Sequence, residues 1–375
     1  MKRDAALSTP GIYERLGVRT IINGRGATTS VGGTLMHPEV LAAMAQAAEA
    51  FVVMDELNEA VGAAIAELTG AEAGYVTSGS AGAMALAAAA CIAGSDPARI
   101  RRLPDSEGWA NEIIIHRTHR INYDQMFRVG GGRLVEIGLA AGTERWELES
   151  AITERTAAIA WVDSRATGGG ALDFATVIEI AHARGVPVIV DAASTLPPVE
   201  HLTRWTQAGA DLVIYSGGKG LRGPQDSGLL AGRRDLIAAA RANGSPNAGV
   251  GRGMKVSKEA LVGLWAAIDL FQRTDHEAER RMHMAQASTL VAGLEGRDDT
   301  RVVAETNWHD WPAPVVRLLP IHAAWDPSAV AAALLAGDPP IALFIEHGGL
   351  MISTHCLLPG EEVTVIATLT CVLDA

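Results

Sequence analysis

Pro187-Val188-Ile189-Val190-Asp191-Ala192-Ala193-Ser194 decides the fold. Val188, Ile189 and Val190 are apolar without alternation, as in a strand covered on both faces, and a polar loop opens directly at their C-terminal end. The same grammar recurs through residues 70–235: a short apolar run, a Gly/Ser/Asp loop, then a helical period. This βα alternation predicts an α/β fold with a mostly parallel central sheet and helices on both faces. The predicted strands are 74–77, 112–115, 157–162, 186–190, 212–215 and 228–231. Between two of them Phe174, Val177, Ile178 and Ala181 fall at i, i+3, i+4 and i+7, with Gly185 placed to end the turn, which predicts an amphipathic crossover helix.

After Lys255 the pattern changes. Leu261, Leu264, Trp265, Ile268 and Phe271 form one helical stripe and dense charge follows from His276 to Met284, so a long helix is expected to lead out of the sheet domain. Beyond Arg301, strands are predicted at 315–319, 341–345 and 363–369, with a helix at 329–335, giving a smaller α+β domain. The expected organisation is an N-terminal arm over 1–45 packing with the small domain, a large domain over 46–254 and a small C-terminal domain over 255–375.

Length and composition narrow the function classes. At about 150 residues per domain, 375 residues suffice for two or three domains. With 48% hydrophobic and 20% charged residues the chain is a globular protein and not a disordered one. A net charge of −12 offers no cationic field for nucleic acid or anionic lipid. Cys91, Cys356 and Cys371 are scattered and odd in number, which argues against a disulfide framework or thiolate metal site and fits a reducing cytosol. Met1 to Pro10 has no apolar run, so no signal peptide is expected, and Ala83 to Ala93 falls short of the about 20 residues that cross a bilayer.

In an open parallel sheet the loops at the C-terminal strand ends converge on one crevice. Thr77-Ser78-Gly79-Ser80-Ala81-Gly82 opens an Ala-rich helix and gathers free backbone N–H groups and hydroxyls, a geometry that binds phosphate or serves equally as a helix cap. Asp191 sits at the rim of a dry strand and needs a cationic or donor partner, either a helix N-terminus or a protonated ring nitrogen. Lys219, in Ser216-Gly217-Gly218-Lys219-Gly220, is flanked by small residues that let an amine approach a cofactor; alone, such a lysine is more often solvated. His116-Arg117-Thr118-His119 places two imidazoles after a strand, with His119 suited to lie against an aromatic ring or to act as an acid or base. The HxxH spacing also admits a metal, but no third ligand is evident and none is expected. Together a phosphate cradle, a rim carboxylate, a glycine-flanked lysine and a ring-stacking histidine match what pyridoxal 5'-phosphate requires: a Schiff base with lysine, a protonated pyridine nitrogen and a helix end for the phosphate.

The chain resembles the fold-type I pyridoxal-phosphate enzymes, in the branch containing selenocysteine synthase and D-glucosaminate-6-phosphate ammonia-lyase-like proteins. The resemblance runs from about Gly11 to Glu361. Its specific stretches are Leu68-Thr69-Gly70-Ala71-Glu72-Ala73-Gly74, Pro187 to Ala193, Ser216-Gly217-Gly218-Lys219-Gly220-Leu221-Arg222-Gly223-Pro224-Gln225 and Gly251-Arg252-Gly253-Met254-Lys255-Val256. It implies that Lys219 is the Schiff-base lysine, Asp191 the pyridinium partner and His119 the ring-stacking residue. Ser78, Gly79, Ser80, Ala81, Ser194, Ser216 and Gly218 complete the implied cofactor site. Arg25, Arg165, Arg252 and Lys255 are implied substrate ligands, the last two contributed by a neighbouring subunit; a salt bridge for Arg25 and a helix-capping pair for Arg252 and Lys255 are the structural alternatives.

Two departures bear on the substrate. Selenocysteine synthase has an N-terminal region for its tRNA, whereas this sequence begins almost directly with the catalytic part and is acidic, so a tRNA substrate is not expected. His347 and His355 stand where the family pattern implies an arginine or a neutral residue. The expected reaction is α,β-elimination of a β-substituted amino acid or amino sugar acid to a keto acid and ammonia, by a cytoplasmic homodimer or larger homo-oligomer. Racemisation, aldol cleavage and β-replacement share its carbanion. A non-catalytic binding protein leaves the conjunction of loops without purpose, and a metal hydrolase built on His116 and His119 leaves Lys219 unexplained.

Overall fold

The computed structural model describes residues 11–164, 167–306 and 313–375. They divide into two compact units: residues 27–276 form the larger, and the smaller unites residues 11–26 with 277–306 and 313–375.

The larger unit is built on a seven-stranded sheet. In spatial order its strands are Ala73–Thr77, Gly228–Gly232, Leu212–Ser216, Val188–Asp191, Thr156–Val162, Glu112–His116 and Arg133–Ile137. Gly228–Gly232 runs antiparallel to both neighbours and the other pairings are parallel. Successive side chains leave opposite faces of a strand, so Val188 and Val190 enter one core with Val177, Ile180 and Trp205, while Ile189 enters the other with Ile113, Ile115 and the helix Gly79–Ala93. Both faces being covered explains the unbroken apolar runs. The alanines of that helix, Ala83 to Ala90, are fully buried and let it lie close on the sheet.

The units divide at Gly26 and His276, whereas the sequence pattern suggested 45 and 254. The helix Lys258–Arg273, N-capped by the Ser257 side chain, buries Leu261, Leu264, Ile268 and Phe271 in the larger unit's core, and its Ala266 and Ala267 pack with Val40 of the helix Pro38–Ala48. Hydrophobic burial therefore binds the helix Lys258–Arg273 into the larger unit's core and the helix Pro38–Ala48 onto it. The expected single long helix is two, because the chain breaks at Thr274 before the helix His276–Leu294 begins.

The smaller unit carries a four-stranded antiparallel sheet in the order Phe344–Glu346, Gly349–Ser353, Val315–Pro320, Thr300–Glu305, and Ile22–Asn23 pairs parallel with Ile341–Ala342. The strand expected at 363–369 is instead part of the helix Glu361–Leu373. Gly360 sits at its N-cap with φ +92°, Glu361 and Glu362 occupy the first turn, and Val365 and Leu369, four apart, are its buried residues. A 3.6-residue period overrides the β-branched composition there.

Candidate active site

Strand register assembles the site. Thr77 lies opposite Gly228 and Gly228 opposite Ser216; Ile214 lies opposite Asp191 and Asp191 opposite Val162. With neighbouring strands about 4.8 Å apart, the Ser78 turn, the Lys219 loop and Asp191 share one edge of the sheet.

At the first of these, Gly79 takes φ +69° and its carbonyl accepts from the Thr77 hydroxyl at 3.0 Å. Ser78 makes no capping hydrogen bond, so the first-turn N–H groups of Gly79, Ser80 and Ala81 are left to an external anion. Two glycines seat this turn. A Cβ on Gly228 would come within 2.4 Å of the Gly79 carbonyl carbon and 2.8 Å of Ser80 N, and one on Gly82 within 2.5 Å of Ser78 Oγ.

The lysine loop leaves the strand Leu212–Ser216 and is equally tight. Arg222 N–H donates to Lys219 O at 2.9 Å and Gly223 N–H to Gly217 O at 2.8 Å. A Cβ on Gly217 would meet Ser227 Oγ at 2.1 Å, one on Gly218 would meet Gln225 Cα at 2.5 Å, and one on Gly220 would meet Leu196 O at 2.5 Å. The glycines around Lys219 are thus dictated by packing. Burial pushes the Lys219 amine below its ordinary proton affinity, and the charge of Asp191 opposes that shift.

Asp191 ends its strand buried, 5% exposed, and its Oδ1 accepts the Ala193 N–H at 3.1 Å. Burial raises its pKa; the Ala193 N–H and the Lys219 charge pull it down, and Asp163 adds to the rise. A carboxylate in this state has unused acceptor capacity and calls for a cation, which a protonated pyridine nitrogen satisfies. With a phosphate-ready helix end and a buried amine on the same edge, the donor set fits pyridoxal phosphate.

His119 closes the row. It is 4% exposed, its Nδ1 accepts the Val162 N–H at 3.4 Å, and its ring stands edge-on to Trp161 with centroids 4.4 Å apart and planes at 88°. His116, fully buried, accepts the Leu172 N–H on Nε2 at 3.4 Å and lies 5.2 Å from His119 between centroids. Burial pushes both imidazoles down to about 4, so both are neutral at physiological pH. Trp161 in turn packs on Phe174 and Trp205.

Ser194 is exposed, as are Arg252 and Lys255. Arg252 reaches only Ser245 Oγ at 3.5 Å, and among the described residues no hydrogen bond or ion pair joins Arg252 or Lys255 to Asp191, Lys219 or the Ser78 turn. Arg25 belongs to the smaller unit, where its Nε donates to Leu343 O at 2.9 Å and its guanidinium lies over the Phe344 ring at 5.9 Å. Arg165 lies outside the described residues. His347 occupies the exposed turn between two strands at φ +49°, and His355 is buried edge-on to His283.

Sequence reasoning passed over Asp163. It follows the strand Thr156–Val162, its N–H donates to Asp191 O at 2.8 Å, and its Oδ2 accepts from Trp205 Nε1 at 3.0 Å. The signal was present, since an acidic residue directly after a strand is the same mark that singled out Asp191.

The family model described as SelA, L-seryl-tRNA selenium transferase, matches residues 21–296. D-glucosaminate-6-phosphate ammonia lyase from Salmonella typhimurium is 40% identical over 293 residues, covering 76% of this chain and 77% of the relative. 5'-C-glycyluridine monooxygenase-decarboxylase from a Streptomyces species is 38% identical over 379 residues, covering 95% of this chain and 90% of the relative. A solved structure of D-glucosaminate-6-phosphate ammonia-lyase superposes with a TM-score of 0.85 at 33% identity, over 98% of this chain and 99% of that one. The architecture is that of fold-type I pyridoxal-phosphate enzymes.

Proposed function

We propose, for a chain that belongs to the L-seryl-tRNA selenium transferase family, the function of a pyridoxal 5'-phosphate-dependent lyase that eliminates across the α and β carbons of a β-hydroxy or otherwise β-substituted amino acid or amino sugar acid. The products are a keto acid and ammonia. When bound, the cofactor supplies an aldehyde that condenses with amines and a ring that withdraws electrons from the carbon beside the nitrogen.

The chain's own residues do the remaining work. The Ser78–Ala81 turn, with Ser194, Ser216 and Gly218, takes the phosphate. Asp191 would accept the hydrogen bond of a protonated ring nitrogen and keep that proton in place, and neutral His119 would serve as the stacking residue. Lys219, its proton affinity lowered by burial, takes the proton from the substrate Cα as a neutral base. The electrons of that C–H bond form the Cα–Cβ double bond as the β-hydroxyl leaves with a proton as water. Water then adds to the released enamine in its imine form and ammonia departs, so the water lost is regained. Arg252 and Lys255 serve the site of a second copy in a homodimer.

The observation that carries this reading is the placement of the Asp191 carboxylate and the Lys219 loop on one sheet edge, where the charge of each acts on the other. Purified full-length protein given pyridoxal phosphate is expected to gain a visible band, lose it on Lys219→Ala, and release keto acid from D- or L-β-hydroxy amino acids or amino sugar acids. A band that persists in Lys219→Ala overturns the lysine assignment, and coloured protein that releases no keto acid overturns the elimination. The 38% identity to a monooxygenase-decarboxylase over 95% of this chain favours oxidative decarboxylation as the second reading; oxygen uptake with release of carbon dioxide, in place of keto acid and ammonia, distinguishes it. Racemisation, aldol cleavage and β-replacement are separated by product analysis of the same reactions. Mixing Arg252→Ala and Lys219→Ala subunits restores activity if Arg252 acts across the dimer, and no recovery places Arg252 elsewhere. Acidic charge and scattered cysteines support a cytoplasmic setting, and no helix among the described residues is long and apolar enough to cross a membrane.

A further inference from the structure

The turn Thr28–Thr34 belongs to the larger unit and clasps the lysine loop. The Thr34 hydroxyl is shared between the carbonyls of Gly218 and Lys219, at 3.1 Å from each, and its N–H points at Gly218 O at 3.4 Å. The Gln225 side chain fills the space between two glycines. A Cβ on Gly33, which takes φ +75°, would fall 1.7 Å from Gln225 Oε1, and one on Gly218 would fall 2.5 Å from the same atom. Gln225 Nε2 donates to Thr29 Oγ1 at 3.3 Å, tying the wedge back to the turn. Yet Gln225 Oε1 and Thr28 Oγ1 are buried without a hydrogen-bond partner among the described residues. Folded proteins seldom leave buried polar atoms so, and an apolar side chain would fill the gap with less loss of stability. What the amide and the hydroxyls add is orientation.

We propose that Thr34 and Gln225 are positioning residues for Lys219, fixing the main chain on both sides of it so that its amine is presented to Asp191 and to the cofactor aldehyde in one place. The proposal rests on the cofactor role assigned to Lys219 above. Thr34→Val removes the hydroxyl at nearly constant volume, Thr34→Ser keeps it, and Gln225→Met keeps the wedge while removing its amide.

The test uses the full chain in two states. In cofactor-free protein, acylation of the Lys219 amine is followed by peptide mass spectrometry as pH is raised. In protein loaded with pyridoxal phosphate, the pH midpoint of the visible band is measured together with kcat and KM. Thr34→Val is expected to shift the pH dependence of Lys219 acylation and of the band and to lower kcat about tenfold with KM little changed, the size of one lost hydrogen bond. Thr34→Ser is expected to recover to within about twofold of the wild type. Should Thr34→Val fail to fold, Gln225→Met is read in the same way. The proposal is overturned if these variants alter only the unfolding temperature, or if Thr34→Ser is as impaired as Thr34→Val. Wild-type protein with a band and Thr34→Val identical to it in pH dependence sinks the clasp and leaves the lysine assignment standing; wild-type protein without a band sinks both.

Discussion

Acidification should destabilise the larger unit through His116 and His119. Burial holds both imidazoles down to about 4 from 6.5, and in His119 the neighbouring His116 contributes to the same shift. Each ring uses one nitrogen to accept a backbone N–H, from Leu172 and Val162 respectively, and protonation would turn that acceptor into a donor. In the unfolded chain both rings titrate near 6.5. Between the two values the unfolded state binds more protons than the folded one, so stability falls as pH drops below about 6.5 and levels off below about 4. At pH 5 the gap amounts to about 1.5 pH units, or about 2 kcal/mol for each ring. The pair therefore costs about 4 kcal/mol, a large part of the 5–15 kcal/mol that holds a typical protein folded. Urea unfolding of the cofactor-free protein at pH 7, 6 and 5, compared with His116→Asn/His119→Asn, measures it. The wild type should lose about 4 kcal/mol more than the double variant between pH 7 and 5, and His119→Asn alone should remove about half of that difference. Parallel pH profiles for the wild type and the double variant would refute the burial argument.

Asp191→Asn should lower kcat by about a hundredfold or more, because an amide no longer holds the proton on the ring nitrogen where charge develops; steady-state kinetics with unchanged unfolding temperature is the expected pair of results. Gly228→Ala should destabilise the protein by about 1–3 kcal/mol, since its Cβ would press on the Gly79 and Ser80 backbone, which cannot yield as a flexible side chain does. It should also weaken pyridoxal phosphate binding, measured by titration of the visible band. Gly253→Ala, with open space at its Cβ, is the control that should leave unfolding temperature and binding unchanged.

The sheet strands were legible because a strand buried on both faces must be apolar without interruption, as at Ile113 to Ile115 and Val188 to Val190. Arg133–Ile137 escaped notice for the converse reason: it pairs with Glu112–His116 alone, at the edge of the sheet, and carries Arg133 and Glu136 on its half-covered faces. The helix Glu361–Leu373 was misread as a strand because its β-branched residues advertise one, although Gly360, two leading glutamates and the four-residue spacing of Val365 and Leu369 carry the opposite signal. In the candidate site, Asp191 and Lys219 stand out in the sequence because strand-end loops announce themselves. Thr34 and Gln225 could not, since what they do depends on a contact between segments almost two hundred residues apart in the chain, and nothing local to either marks it.

Two carboxylates stand side by side at the sheet edge, and their surroundings divide the labour between them. Asp191 ends one strand, Asp163 follows the neighbouring one, and the Asp163 N–H joins them by donating to Asp191 O. Trp205 donates to Asp163 and is itself fixed by Trp161 and Phe174, so that charge is met by a rigid neutral donor. Asp191 receives one backbone N–H and otherwise faces burial and the charge of Asp163, both of which raise the cost of its ionised form. A carboxylate in that position either takes up a proton or acquires a cation. Lys219 answers only in part, because the same burial drives its amine toward neutrality. Were pyridoxal phosphate bound, a protonated ring nitrogen beside Asp191 would meet that need in place of the lysine. The electrostatics that make the cofactor-free edge unfavourable are thus those that a bound ring would turn to sorting acid from base.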